Sequence, residues 1–139
     1  MKSNTKKNPK RILIVDDEEP LVRFLSRRFQ SWGYEVLTAL NGEDGLRLVA
    51  AQEPDLVLLD ILMPGMNGRE ICARIKTHPR FSRIPVIFLT ALGMPGQIEE
   101  GFRMGPDDYI VKPFEPEEMK ERIQACLVKN QNEENPVHA

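Results

Sequence analysis

Five polar side chains directly follow short apolar runs of the sequence, at positions that the runs themselves do not explain. Asp16 and Asp17 follow the first run, Asp60 the third, Thr90 the fourth and Lys112 the fifth. Three carboxylates in one small volume repel one another, so they must take up protons or hold a cation, and their oxygens suit Mg²⁺ or Mn²⁺. A metal held by two or three carboxylates keeps open positions that a phosphoryl oxygen can occupy.

The same residue types suit the transfer of a phosphoryl group to a carboxylate, which is a known nucleophile for this chemistry. Asp60 is the best candidate nucleophile, because it stands alone after the central run. Asp16 and Asp17 are adjacent and better suited to binding metal. Lys112 supplies a positive charge and Thr90 a hydroxyl, and both can neutralise equatorial phosphoryl oxygens during transfer.

The apolar runs are continuous rather than alternating, which is typical of parallel strands buried on both faces. The predicted strands are Ile12–Val15, Glu35–Leu40, Leu56–Leu59, Val86–Leu89 and Tyr109–Val111, of which the second is the least decisive and is predicted to lie at an edge. Segments with helical spacing separate them, beginning near Pro20, after Asn41, after Gly68, at about Gln97 and at Glu115.

This alternation predicts a single α/β domain, a doubly wound five-stranded parallel sheet with five helices and right-handed crossovers. Ligands of such open sheets bind outside the carboxyl ends of the strands. Because every polar side chain described above follows a strand, all five are expected at that one edge, although they are far apart in the sequence.

Composition narrows the class of protein. With 139 residues, 41% of them hydrophobic, the chain suits one core, and we predict a folded domain over 10–129 between a disordered basic extension (1–9) and a disordered polar tail (130–139). The balance of 19 basic and 21 acidic residues argues against direct binding of nucleic acid or anionic membrane. No secretion signal or membrane span is found in the sequence, which predicts a cytoplasmic protein. Cys72 and Cys126 are predicted to be reduced packing residues.

Four segments, in order, resemble the receiver domain of bacterial two-component response regulators, and are similar to the chemotaxis receiver. They are Asp16–Glu18, Leu59–Gly68, Thr90–Ala91 and Asp107–Phe114, and the resemblance spans about residues 10 to 127. It implies a flavodoxin-like three-layer fold with strand order 2-1-3-4-5. It also implies a switch rather than a metabolic enzyme, whose only chemistry is its own phosphorylation and dephosphorylation at Asp60.

The resemblance also implies a phosphoryl donor and a metal site. Asp60 would accept the phosphoryl group from a sensor histidine kinase or a histidine phosphotransfer protein. Asp17, Asp60 and the backbone carbonyl of Leu62 would bind Mg²⁺ directly, and Asp16 would act largely through water. Leu62 and Leu92 stand two residues after Asp60 and Thr90, where relatives modulate attack by water, and we expect these apolar side chains to slow self-hydrolysis.

Further implied roles concern phosphate binding and the response. Lys112, Thr90 and the backbone amide of Ala91 would bind the phosphoryl group, and Pro113 would follow a cis peptide bond. Thr90 and Tyr109 would move on phosphorylation and change the face formed by the fourth helix, fifth strand and fifth helix. A downstream protein effector would read that face.

The sequence leaves a possible dimer and two alternative functions open. Asp107, Asp108 and Arg122 match part of the charged set through which some relatives form homodimers, so a dimer through the same face is an open expectation. A degenerate receiver acting only as an interaction platform is one alternative function. A haloacid-dehalogenase-like phosphatase is another, although that family needs a second aspartate at the position of Leu62.

Overall fold

The computed structural model describes residues 8–91 and 105–134, with side chains as far as Lys129. The strands are β1 (Arg11–Val15), β2 (Glu35–Ala39), β3 (Leu56–Asp60), β4 (Val86–Thr90) and β5 (Asp108–Val111). The helices are α1 (Glu19–Ser31), α2 (Gly42–Gln52), α3 (Gly68–Thr77) and α4 (Pro116–Glu134). Residues 1–7, 92–104 and 135–139 lie outside the described residues, and they include Leu92, the helix expected at 97–104 and parts of both expected tails.

The strands form one parallel sheet in the order β2-β1-β3-β4-β5, which confirms the predicted fold and strand order. One face packs against α2 and α3, through residues such as Leu13, Val49 and Ile71. The other face packs against α1 and α4, through residues such as Ile14, Phe29 and Ile123. Since both faces are covered, the central strands need apolar side chains at every position, and their runs are continuous for that reason.

Capping hydrogen bonds and a close glycine contact fix the starts of α2 and α3 at the carboxyl edge of the sheet. Asn41 caps α2 by accepting a hydrogen bond from the Asp44 amide, and Asn67 caps α3 in the same way from the Glu70 amide. Gly68, at the start of α3, lies against the end of β3, where a Cβ would stand 2.5 Å from the carbonyl oxygen of Asp60. Only glycine allows this close approach, so α3 is held directly against the end of the central strand.

One boundary differs from the prediction. Helix α4 continues to Glu134, so residues 130–134 are helical where the polar tail was expected to begin. Met119, Ile123 and Leu127 anchor the helix in the core, and extending an existing helix through good helix formers such as glutamine and glutamate costs little. The polar composition of residues 130–134 did not indicate where the helix ends.

The two cysteines lie in the core, Cys72 in α3 and Cys126 in α4. Burial raises the pKa of the Cys72 thiol to about 12 and that of Cys126 to about 11. Such thiols are poor nucleophiles at neutral pH, as expected of packing residues. In the part of the chain described here, no helix combines the length and apolar character that crossing a bilayer requires.

Candidate functional site

Three carboxylates meet at the carboxyl ends of β1 and β3. These strands are paired neighbours with Val15 opposite Leu59, so Asp16 and Asp60 come next to each other, and Asp17 follows. One carboxylate oxygen from each aspartate lies within 4.8 Å of the other two. Asp16 and Asp60 are buried and Asp17 is exposed, so the group opens to solvent on one side.

Backbone hydrogen bonds fix the two buried carboxylates. The amide of Glu18 donates to Oδ1 of Asp16 at 2.9 Å, and the amide of Leu62 donates to Oδ1 of Asp60 at 3.0 Å. Each carboxylate therefore accepts from the residue two positions later in the turn that follows its strand. These turns hold Oδ1, while the Oδ2 atoms of Asp16 and Asp60 are the atoms nearest to Lys112.

Lys112 reaches this group from the end of β5. Its amide donates to the carbonyl of Thr90 at 2.7 Å, which extends the pairing of β4 and β5 by one step. Its Nζ lies 3.4 Å from Asp16 and 3.9 Å from Asp60, and only 19% of its side chain is exposed. The Lys112–Pro113 peptide bond is cis, as the resemblance implies.

The electrostatics of the site are those of crowded negative charge. Burial first, and the neighbouring charge of Asp16 next, raise the pKa of Asp60 to about 6 against the opposing effect of Lys112. Burial also raises the pKa of Asp16. Burial pushes the pKa of Lys112 down, but Asp16, Asp60 and Glu18 outweigh it and leave that pKa raised. A single ammonium group therefore balances the three carboxylates only in part.

The donor set fits a hard divalent cation. All three aspartates offer carboxylate oxygens, the ligand type that Mg²⁺ and Mn²⁺ favour, and the exposed side at Asp17 leaves room for water ligands. A cation there would relieve the repulsion that raises the pKa of Asp60.

The other residues singled out in the sequence surround this group. Thr90 is buried at the end of β4, one residue beyond Leu89, which pairs with Asp60 of β3, and Ala91 follows it at the surface. The ring of Tyr109 is buried and meets Phe88 edge to face, with ring centroids 5.4 Å apart. The side chain of Leu62 is 54% exposed. Leu92 lies outside the described residues.

Two sets of charged residues have surroundings that the sequence did not indicate. The carboxylate of Glu18 lies 3.2 Å from Nζ of Lys112; the only sequence signal was a third acid directly after Asp17. The charges considered for a dimer have partners within the chain, since Asp107 pairs with Lys76 at 2.8 Å and Asp108 with Arg122 at 2.7 Å.

Comparisons with known proteins agree with this geometry. The family model of the response regulator receiver domain matches residues 12–124. The "probable transcriptional regulator ycf27" of Cyanophora paradoxa is 42% identical over 125 residues, which are 90% of this chain and 51% of that protein. The "DNA-binding dual master transcriptional regulator RpaA" of Synechocystis is 40% identical over 117 residues, 84% of this chain and 48% of that protein. The chain thus spans about half the length of these relatives.

Solved structures give the same result. A putative response regulator from Chloroflexus aurantiacus superposes with a TM-score of 0.83 at 37% identity, covering 86% of this chain and 98% of that one. The Vibrio cholerae chemotaxis protein CheY4 superposes with a TM-score of 0.81 at 30% identity, covering 85% of this chain and 98% of that one.

Proposed function

The chain belongs to the response regulator receiver domain family, and from this premise we propose that it is a switch activated by phosphorylation of Asp60. The observation that carries the proposal is the convergence of Asp16, Asp17 and Asp60 within 4.8 Å, with Lys112 beside them. A phosphoryl transfer needs a nucleophile, metal ligands and a positive charge near one another, and these residues supply all three.

In the proposed reaction a carboxylate oxygen of Asp60 attacks the phosphorus of a phosphohistidine. The new O–P bond forms as the N–P bond breaks, and the imidazole leaves with the electron pair of that bond. The phosphohistidine belongs to a sensor histidine kinase or a histidine phosphotransfer protein. The buried Asp60 carboxylate is held for attack by the Leu62 amide, which binds its Oδ1 and leaves Oδ2 on the side of Lys112.

We assign the metal to Asp16, Asp17, Asp60 and the Leu62 carbonyl. Bound there, Mg²⁺ or Mn²⁺ would neutralise charge on the phosphoryl oxygens. Lys112, the Thr90 hydroxyl and the Ala91 amide complete the proposed phosphate-binding set. The enzyme-like chemistry is limited to the chain's own aspartyl phosphate, whose hydrolysis the exposed Leu62 side chain is expected to slow.

The response is proposed to pass through Thr90 and Tyr109. Thr90 ends β4 beside Asp60, and Tyr109 lies opposite Phe88 in the adjoining strand, so a movement at the phosphoryl group has a short packed route to β5. The face that includes β5 and α4 is the proposed docking surface for a protein effector and for a homodimer. Any homodimer that uses Asp108 or Arg122 between chains has to exchange their existing pair.

The relatives support a transcriptional output for the full protein, since two are named as transcriptional regulators and one as DNA-binding. We propose that this domain acts as the switch of a cytoplasmic protein. The domain itself is proposed to make no direct contact with nucleic acid or membrane. A receiver that has lost its chemistry is not favoured, because the described residues keep three aspartates and a lysine together. A haloacid-dehalogenase-like phosphatase is not favoured either, since Leu62 stands where its second aspartate would be.

The test is labelling with acetyl phosphate and Mg²⁺, followed by intact-mass and peptide mass spectrometry. The wild-type chain is expected to gain one phosphoryl group on Asp60, and the gain should disappear with Asp60→Asn or with a chelator. Glu43→Gln, which removes an exposed acid at the start of α2, is the matched control and should label normally. Labelling that persists in Asp60→Asn, or a wild-type chain that never labels, would overturn the assignment.

A further inference from the structure

Lys112 is shared among three carboxylates, and the sharing is unequal. Its Nζ lies 3.2 Å from Oε1 of Glu18 and 3.4 Å from Oδ2 of Asp16, both within hydrogen-bond reach. Oδ2 of Asp60 is 3.9 Å away, too far for a hydrogen bond, so that attraction is Coulombic only. Before phosphorylation, the ammonium group that should serve the phosphoryl group is therefore bound mainly to Glu18 and Asp16.

Hydrogen bonds hold the backbone of Glu18 in place, but its carboxylate does not cap the helix that follows. Glu18 is the N-cap residue of α1; its carbonyl accepts from the Val22 amide at 3.0 Å and its amide donates to Asp16 at 2.9 Å. An N-cap side chain usually accepts a hydrogen bond from the first turn, but the Glu18 side chain makes no such bond. It is directed to Lys112 instead, at the rim of the site with 61% of its surface exposed.

We propose that Glu18 is a positioning residue that holds Lys112 at the rim of the site and competes with the phosphoryl group for it. This inference rests on the proposed function and deepens it. A phosphoryl group on Asp60 adds about 1.5 to 2 negative charges and three acceptor oxygens, which draw the ammonium group inward and leave Glu18 without its partner. Glu18 thus opposes the phosphorylated state and favours the metal-bound, unphosphorylated one.

In the Glu18→Gln variant, the affinities for BeF₃⁻ and for Mg²⁺ should change in opposite directions. Replacing Glu18→Gln removes a negative charge and releases Lys112 toward Asp60. Affinity for BeF₃⁻, which takes the place of a phosphoryl group on a carboxylate, should rise at saturating Mg²⁺ by about two- to fivefold, the range for an ion pair with one exposed partner. Affinity for Mg²⁺ alone should fall by a similar factor, because the site has become more positive.

Glu19→Gln is the matched control. Glu19 is the next residue, is equally acidic and exposed, and pairs with Arg23 on α1 rather than with Lys112. Both binding constants, followed by backbone amide NMR titration of the full chain, should match the wild type within error. If Glu18 served only as a charge at the start of α1, the two variants would behave alike, and that result would overturn the proposal.

A double-mutant cycle separates an effect through Lys112 from a general field. In a Lys112→Gln background, Glu18→Gln should lose most of its effect on BeF₃⁻ binding, whereas an undiminished effect contradicts the proposed route. A fall in both affinities, or no change in either, would also contradict it. Failure of the proposed function is distinguishable, because then the wild-type chain itself would not bind BeF₃⁻ in the presence of Mg²⁺.

Discussion

The two edges of the sheet use the same residue types for opposite purposes. At the amino-terminal edge, Lys76 pairs with Asp107 at 2.8 Å and also donates to the carbonyl of Ile84 at 2.8 Å. Asp107 in turn accepts from the Val86 amide at 2.8 Å. At the carboxyl edge, the comparable lysine, Lys112, faces three carboxylates and makes no contact with them shorter than 3.2 Å.

This difference in contact distances distinguishes the structural ion pair of Lys76 and Asp107 from the charged group around Lys112. At the amino-terminal edge the partly buried Lys76 and Asp107 each have one oppositely charged partner at hydrogen-bond distance, so folding satisfies the two charges. At the carboxyl edge folding leaves negative charge in excess, and burial together with that charge raises the pKa of Asp60 to about 6. An unbalanced buried charge is a cost to the fold, and such costs concentrate at functional sites. Removing one carboxylate from each edge should therefore change stability in opposite directions.

The largest effect is expected at the amino-terminal edge. Asp107→Ala removes the partner of Lys76, which is only 18% exposed, and leaves the buried Val86 amide without its acceptor. The two losses together should lower the free energy of unfolding by about 3 kcal/mol, measured by urea denaturation.

Glu35→Ala is the control for that prediction. Glu35 pairs with Arg11 at the same edge, but its side chain is 54% exposed, and its loss should cost about 0.5 kcal/mol or less. Equal costs for the two variants would show that burial does not set the value of these pairs.

At the carboxyl edge the sign should reverse. The pKa of Asp60 is raised from 3.8 to about 6, so the folded chain binds this proton more tightly than the unfolded chain does. Stability is then lost as pH rises from about 4 to about 6. In a chelator at about pH 7.5, Asp60→Asn should therefore raise the free energy of unfolding by about 2 kcal/mol.

The pH dependence checks the cause of that gain. At about pH 4 the wild-type Asp60 is protonated in the folded chain, so the advantage of Asp60→Asn should nearly vanish. Saturating Mg²⁺ at neutral pH should also narrow the gap, since the cation stabilises the wild-type site. A variant that is destabilised at both pH values would mean that Asp60 contributes to the fold rather than straining it.

The sequence was informative where side-chain type reports burial. Continuous apolar runs marked the central strands. The polar residues directly after them marked the edge where Asp16, Asp60 and Lys112 meet, because parallel strands bring their carboxyl ends to the same edge of the sheet. The contact of Glu18 with Lys112 was missed, since an exposed acid after Asp17 has the same sequence signature whether or not it has a partner. The end of α4 was missed for a related reason, because polar residues are compatible with both a solvated helix and a disordered tail.

Apart from the Glu35→Ala control, the smallest expected effect concerns the partly exposed pair of Arg122 and Asp108. Arg122 bonds Asp108 at 2.7 Å and Glu118 at 3.2 Å, with 40% of its side chain exposed, and hydrogen bonding to Asp108 raises its pKa. If burial decides the value of a pair, Arg122→Gln should lower the free energy of unfolding by about 0.5 kcal/mol, less than Asp107→Ala despite the equally short contact. The loss should shrink further at high salt, because exposed charges are screened. A salt-independent loss as large as that of Asp107→Ala would mean that contact distance, and not burial, sets what each ion pair contributes to the free energy of unfolding. The contrast between the two edges would then need another explanation.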